Sequence, residues 1–179
     1  MKLLKVDTIQ QVLQKMEHHF GNIKLDVESM NIEMTVGRTA AEDVYSNNNI
    51  PDFNRSTVDG YAIVASDSFG VTDSIPVFLD VIGLVEMGKS TELVVSKGKT
   101  AYVPTGGMVP PGADAMIMIE HIEEMDSRTI AAYASTAPGE NIIKVGDDVI
   151  KGNKLIHKGK LIRPQDIGVL TAAGVRQIR

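Results

Sequence analysis

Residues 51–62 read Pro51-Asp52-Phe53-Asn54-Arg55-Ser56-Thr57-Val58-Asp59-Gly60-Tyr61-Ala62. A proline opens this segment, polar residues fill its middle, and an Asp-Gly pair leads directly into an apolar run at 61–65. Glycine tolerates positive φ and aspartate hydrogen-bonds the nearby backbone, so this pair predicts a tight turn that feeds a strand. A plain turn is therefore one complete interpretation of the segment.

Three side chains of the same loop favour a second interpretation, a binding site. Arg55, Ser56 and Asp59 bring a positive charge, a hydroxyl and a carboxylate into one short segment. Such a set suits an anionic, metal-bearing ligand better than a core, and loops commonly carry binding groups.

The composition excludes several classes of protein. With 179 residues, 43% hydrophobic and 23% charged, the chain is long enough for one ordinary domain or two small ones of the soluble globular class. No apolar run approaches the roughly 18 residues that span a bilayer, and no signal peptide is visible, so we expect a cytoplasmic protein without a membrane segment. A net charge of −5, no tryptophan and no basic cluster argue against nucleic-acid binding. The absence of cysteine excludes disulfides, thiolate zinc sites and cysteine nucleophiles.

The N-terminal residues 7–20 have the pattern of an amphipathic helix. Asp7 or Thr8 can cap it, and Gln11 lies three positions after Thr8, as in a capping box. One apolar stripe runs along it, formed by Ile9, Val12, Leu13, Met16 and Phe20.

A second helix is expected to begin at Pro164, with Asp166 near its positive end and Gly174 as its C-terminal stop. Its buried face is predicted to consist of Ile167, Leu170 and Ala173. Residues 175–179 then begin an alternating strand pattern with no evident partner, which suggests a chain cut at a domain boundary.

The middle of the chain predicts a compact sheet or barrel. Short β-type runs separated by glycine, proline and polar pairs lie at 75–85, 100–103, 115–119 and 129–133. Residues 154–163 indicate two further short strands around a Lys158-Gly159 turn. Between the first helix and the first loop, Arg38 is expected to pair with Glu42 on the next helical turn, with anion contact as the alternative.

Two further loops are candidates for chemistry, although each is also explained by a plain turn. In the first, Thr105-Gly106-Gly107 combines a hydroxyl with exposed backbone N–H groups, a nest that suits phosphate oxygens. In the second, Asp147 and Asp148 follow Gly146 and could hold a hard cation such as Mg²⁺. No Ser-His-Asp set is evident, so positioning and charge stabilisation are the chemistry to expect.

The first loop resembles the signature loop of the MoeA family, the molybdopterin molybdenumtransferases whose relatives include the gephyrin E domain. Thr57-Val58 stands where that family usually has Ala-Met. The matching residues are Phe53, Ser56, Asp59, Gly60, Tyr61 and Ala62.

The other two loops resemble the same family in the same order. Gly107 replaces the usual alanine of the Thr-Gly-Ala motif. In the last loop Asn141 and Asp148 match, Ile143 stands at the usual arginine, and the neighbouring Lys144 could supply that charge without a bidentate grip.

The resemblance implies an α+β, mainly β protein. It implies an elongated discontinuous domain made from 1–45 and 146–179, and an inserted β-rich, barrel-like domain at 46–145. The α/β molybdopterin-binding domain that follows in the family is absent from these residues. Family members are homodimers that insert molybdate into adenylylated molybdopterin with Mg²⁺ during molybdenum cofactor biosynthesis, and contact with molybdopterin adenylyltransferase is also expected.

By the same resemblance, the catalytic residues are Asp59, Thr105 and Asp148, and the metal ligands for Mg²⁺ or molybdate are Asp59 and Asp148. The substrate-binding residues are Ser56, Gly106, Gly107 and Lys144. The alternative is a non-catalytic dimerisation or ligand-presenting module, and in either case we expect little activity from this chain alone. Tungstate in place of molybdate and a paralogue of altered role also stay open.

Overall fold

The structure, a computed structural model, describes residues 6–23 and 25–179. Two α-helices lie near the ends of the chain, α1 (Ile9–Phe20) and α2 (Pro164–Ala172). The strands between and around them are β1 (Met30–Asn31), β2 (Val44–Tyr45), β3 (Arg55–Ser56), β4 (Gly60–Ile63), β5 (Val77–Leu84), β6 (Lys99–Val103), β7 (Ala115–Met118), β8 (Ile122–Glu124), β9 (Thr129–Ala132), β10 (Ile142–Ile143), β11 (Lys154–Ile156) and β12 (Gln177–Ile178). Neither helix of this described part is both long and apolar enough to cross a membrane.

The largest element is a six-stranded sheet in the order β7-β4-β6-β5-β9-β8, which curls into a half-barrel. Only β5 and β6 run parallel; the other neighbours are antiparallel. The four predicted strand runs are confirmed as β5, β6, β7 and β9. The mainly β class is therefore confirmed.

Strand β4 lies inside this sheet and is buried throughout. Tyr61 and Ile63 point into one apolar cluster and Ala62 into another, because alternate side chains of a strand face opposite sides. At Gly60 a Cβ would lie 1.9 Å from the Ile117 carbonyl oxygen, so only glycine allows this approach of β4 to β7. The predicted turn from Asp59-Gly60 into a strand is confirmed.

A third apolar cluster lies apart in sequence from the half-barrel. It is drawn from residues 32–44 and 156–178, at both ends of the chain, and includes the buried side chains of Leu170 and Ala173. Two small antiparallel ladders, β1 with β12 and β2 with β11, join these ends. The division of the chain at residues 45 and 146 into a discontinuous and an inserted domain stays a prediction.

Two local expectations are wrong. Residues 38–42 are not helical, and Arg38 contacts Glu28 instead of Glu42, because the chain there runs beside Leu161 through a bridge at Thr39. The terminal strand pattern has a partner, since β12 pairs with β1.

The 154–163 hairpin is confirmed only in part. Its turn exists, with Gly159 at φ +83°, but β11 pairs with β2 and not with the residues that follow the turn. A short strand carries little information about a partner that is distant in sequence, so the pairings of β11 and β12 were not predicted.

Candidate functional site

Strand β3 joins the first two candidate loops. On one side, the Ser56 amide donates to the Gly107 carbonyl at 3.0 Å, and the Gly106 amide donates to the Ser56 carbonyl at 2.8 Å. On the other side, β3 pairs with β10, and the Thr57 amide donates to the Asn141 carbonyl at 3.0 Å. The loop at 51–59 is therefore held against both other candidate loops.

The side chain of Asp59 binds the second loop directly. The Thr105 amide donates to Asp59 Oδ1 at 2.7 Å, and both residues are exposed. The structure thus brings together two of the three predicted catalytic residues. Within the residues that the structure describes, the second Asp59 oxygen and the Thr105 hydroxyl make no hydrogen bond, so both are free to meet a ligand.

The expected phosphate nest at Thr105-Gly106-Gly107 is not available as predicted. The Thr105 amide donates to Asp59, the Gly106 amide to Ser56, and the Gly107 amide to the Pro104 carbonyl at 2.8 Å. Each of these N–H groups already has a partner inside the protein. The groups that remain for a ligand are the Thr105 hydroxyl and the surface of the two glycines.

Ser56 has a structural role in this fold. Its side chain is only 1% exposed, its hydroxyl donates to the Val58 carbonyl at 2.6 Å, and it accepts from the Val58 amide at 3.2 Å. A buried hydroxyl with both a donor and an acceptor partner shapes the turn ahead of Asp59, and in this chain it does not reach solvent.

The third loop contacts the beginning of the first. The Val145 amide donates to Asn54 Oδ1 at 3.0 Å, and the Asp148 amide donates to the Ile50 carbonyl at 2.9 Å. Asp147 accepts from the Lys144 amide at 2.7 Å, which is the hydrogen bond of a local turn. Asp148 is exposed, but its contacts lie at the Ile50 end of the loop and not at the Asp59 end.

The end of the Lys144 side chain lies beside Gly139. Its Cε and Nζ atoms lie 3.7 and 3.8 Å from the position that a Cβ on Gly139 would occupy. The substrate-binding role of Lys144 stays a prediction.

The predicted metal site was tested against the carboxylates that the fold brings together. No group of three or more histidine or acidic residues lies close enough to hold a metal ion in residues 6–23 and 25–179. Mg²⁺ needs near-octahedral oxygen ligands, and Asp59 already uses one oxygen to hold the Thr105 amide. Because Mg²⁺ sites often use only one or two carboxylates together with phosphate oxygens of the ligand, the role of Asp59 and Asp148 as metal ligands stays a prediction, and no step is assigned to the metal.

Tyr61 is excluded as a base at neutral pH. Burial raises the pKa of its phenol, and the nearby Glu124 carboxylate raises it further. The ring stacks edge-on against Tyr102 with centroids 5.6 Å apart. Tyr61 therefore supports the sheet behind Asp59 as a neutral side chain.

A pocket of about 260 Å³ opens between the first two loops and the segment after β5. Its walls are mainly apolar, and it is lined by Phe53, Gly88, Lys89, Ser90, Gly106, Gly107 and Met108. The sequence analysis missed Lys89 and Ser90, because a Gly-Lys-Ser run outside a strand and helix context is a weak signal. Gly106 and Gly107 line this pocket, and their substrate-binding role stays a prediction.

Comparison with known proteins identifies the family of this chain. The sequence profile described as MoeA N-terminal region (domain I and II) matches residues 7–174. The chain belongs to the MoeA N-terminal family. The resemblance stated from the three loops is therefore confirmed.

Solved and curated relatives agree with the family assignment. The crystal structure of a MoeA molybdopterin biosynthesis protein from Pyrococcus horikoshii superposes with a TM-score of 0.88 and 37% identity over 97% of this chain. Molybdopterin molybdenumtransferase from Haemophilus influenzae is 29% identical over 96% of the chain, and the enzyme from Staphylococcus epidermidis is 32% identical over 84%.

This MoeA-family chain is shorter than those relatives. It spans 41% of the Haemophilus protein, 36% of the Staphylococcus protein and 44% of the Pyrococcus chain. The activity of the longer relatives therefore extends to this chain only as a proposal.

Proposed function

We propose that this MoeA-family chain contributes to molybdenum insertion into adenylylated molybdopterin, as the N-terminal part of a molybdopterin molybdenumtransferase. The observation that carries the proposal is the contact between Asp59 and Thr105. It joins the two loops that match the family best, beside a pocket lined by both loops.

In this proposal Asp59 has two functions. One carboxylate oxygen fixes the backbone of the exposed Thr105 by accepting from its amide. The other oxygen keeps a negative charge at the site, where it can accept a proton or a hydrogen bond from a bound substrate. Molybdate and adenylylated molybdopterin are the substrates, and tungstate stays an alternative to molybdate.

The test replaces Asp59 by asparagine in the full-length natural protein. Asparagine keeps an oxygen that can accept from the Thr105 amide, so the fold is preserved while the charge is lost. We expect a fall in molybdenum cofactor formation on the order of 100-fold. Asp52→Asn, which alters an exposed aspartate of the same loop, is the matched control. Unchanged cofactor formation by Asp59→Asn would refute the proposal.

A second candidate, a dimerisation module, is favoured by the surface of α1. None of its residues is buried in the described chain, and the side chains of Ile9, Val12, Leu13, Met16 and Phe20 are 81, 43, 60, 52 and 62% exposed. Apolar stripes of this kind mark interaction surfaces. We propose that α1 packs in a homodimer of this MoeA-family protein, in agreement with the resemblance.

The oligomeric state, measured by analytical ultracentrifugation, tests the dimerisation proposal. Leu13→Glu places a charge in the middle of the stripe and is expected to shift the chain from dimer to monomer. Gln14→Glu, on the adjacent polar face, changes the net charge equally and should leave the dimer intact. A wild-type chain that sediments as a monomer at high concentration would contradict the proposal. Cytoplasmic location and contact with molybdopterin adenylyltransferase stay predictions.

A further inference from the structure

We propose that Lys89 is the anion-binding residue of this site, and that it contacts the phosphate of a substrate whose planar pterin ring lies against Phe53. The inference rests on the proposed function, because it assigns parts of a molybdopterin-type substrate to the pocket beside Asp59 and Thr105. It gives Lys89 the role that the sequence analysis considered for Lys144.

The first argument is the lack of other donors in the pocket. The amides of Thr105, Gly106 and Gly107 are all used within the protein, so the loop nest does not bind phosphate. Lys89 is the one residue with a cationic side chain among those that line the pocket, and Ser90 beside it brings a hydroxyl. Phosphate recognition by an ammonium and a hydroxyl is chemically sufficient.

The second argument is that Lys89 can release its present partner at little cost. Its ammonium pairs with Glu86, and the two side chains are 67 and 60% exposed. Exposed ion pairs contribute little free energy because water screens both charges. A doubly charged phosphate can therefore displace the Glu86 carboxylate from Lys89.

The third argument is that the lysine segment, residues 85–90, is attached to the candidate site. The Val85 amide donates to the Tyr102 carbonyl at 2.8 Å, which fixes the start of the segment to the strand that leads into Thr105. The Met87 methyl lies 3.6 Å from the position of a Cβ on Gly106. Gly88 then turns the chain at φ +73°.

The shape and chemistry of the walls fit the other half of the ligand. Phe53 and Met108 give the pocket apolar walls opposite the lysine segment. Aromatic and methionine side chains bind flat ring systems by stacking and dispersion. A volume of about 260 Å³ is enough for a compact fragment such as a bicyclic ring, not for a whole nucleotide-bearing substrate.

The test is an NMR titration of the ¹⁵N-labelled 179-residue chain with two probes. The probes are 6-hydroxymethylpterin and the same pterin carrying a phosphate ester. The reporters are the backbone amides of Gly88, Ser90, Gly106 and Gly107. We expect shifts at these amides with both probes and tighter binding of the phosphate ester, an advantage that added salt reduces.

Four variants separate the charge from the ring. Lys89→Gln should weaken binding of the phosphate ester about tenfold and leave the plain pterin unchanged. Glu86→Gln should tighten binding of the phosphate ester about twofold, because it removes the carboxylate that competes with the phosphate for Lys89. Phe53→Leu should weaken both probes about equally, by about fivefold. Lys97→Gln, an exposed lysine outside the pocket, is the control and should alter neither probe.

The outcomes distinguish this inference from the proposed function. If the ester binds but depends on Lys144 and not on Lys89, the inference fails and the substrate-binding function survives. If Lys89→Gln weakens both probes alike, the lysine acts through the structure and the inference also fails. If the wild-type chain shifts with neither probe, the inference is overturned and substrate binding by this chain loses its support as well.

Discussion

The two helices differ in how the protein uses them. Helix α1 has a complete capping box, with the Thr8 amide 2.9 Å from Gln11 Oε1 and the Gln11 amide 3.3 Å from Thr8 Oγ1, yet it buries no side chain. Helix α2 is shorter and less regular in pattern, yet it buries Leu170 completely in the cluster shared by the two ends of the chain. Local signals therefore specify a helix, and they do not specify whether it is packed.

The same substitution in both helices gives the largest expected contrast. Leu170→Ala removes a fully buried side chain and should lower the free energy of unfolding by about 3 kcal/mol. Leu13→Ala removes a 60% exposed side chain and should change the free energy of unfolding by less than about 0.5 kcal/mol. Urea unfolding at low protein concentration measures both. Equal losses would show that α1 is packed within the chain and would remove the contrast.

Substitution of Asp166, at the start of α2, should cause the next largest loss in free energy of unfolding. Its carboxylate accepts from the Arg163 amide at 2.9 Å, from the Arg163 guanidinium at 3.2 Å and from the Lys160 ammonium at 3.0 Å. The residue is 7% exposed. Asp166→Ala should therefore lower the free energy of unfolding by about 2 kcal/mol at pH 7, whereas Glu92→Ala, at an exposed position, should change it little.

The same residue predicts a pH dependence with a definite sign. Hydrogen bonds from the Arg163 side chain, supported by the Arg163 amide and by Lys160, hold the pKa of Asp166 well below its usual range, although burial opposes them. A carboxylate with a lowered folded-state pKa stabilises the protein fully above its unfolded pKa of about 3.9, and this contribution is lost as the pH falls further. The difference in free energy of unfolding between wild type and Asp166→Ala should therefore become smaller below about pH 4. If this difference in free energy grew on acidification, the ion pairs of Asp166 would not be the source of its stabilising effect.

The smallest effect concerns the cap of α1. Thr8→Ala removes the hydroxyl of the capping box and should cost the helix about 1 kcal/mol. Since α1 buries no residue in the described chain, we expect lower helicity by far-UV circular dichroism without a shift in the global unfolding midpoint. Ser29→Ala, outside both helices, is the control. A shift of the midpoint itself would mean that α1 belongs to the cooperative unit.

The sequence identified the two residues that meet at the candidate site, but not the contact between them. Asp59 and Thr105 were selected from separate loops, and the structure joins them by one hydrogen bond. Asp148 and Lys144 were selected in the same way, but the backbone amide of Asp148 binds the Ile50 carbonyl and the Lys144 side chain lies beside Gly139. A loop sequence shows which groups are present, while their direction depends on the elements that hold the loop.

The pocket residues show the same limit more clearly. Lys89 and Ser90 come from the segment after β5, and nothing local indicates that this segment returns to the Thr105 loop. The parallel pairing of β5 with β6 brings it there, because β6 leads directly into that loop. Parallel pairs join segments whose connection is long, so their register is not written in a short pattern.

The sequence by itself determined the family, the mainly β class, both helices, the four long strand runs and the turn into β4. These features depend on residue periodicity, capping and turn chemistry, which act over a few neighbouring positions. Only the tertiary structure decided that the Thr105-Gly106-Gly107 amides are occupied, that the last strand pairs with the first, and that Lys89 faces the pocket. Those outcomes depend on hydrogen bonds between residues far apart in the chain, where many pairings satisfy the same local pattern and only the packed fold selects one.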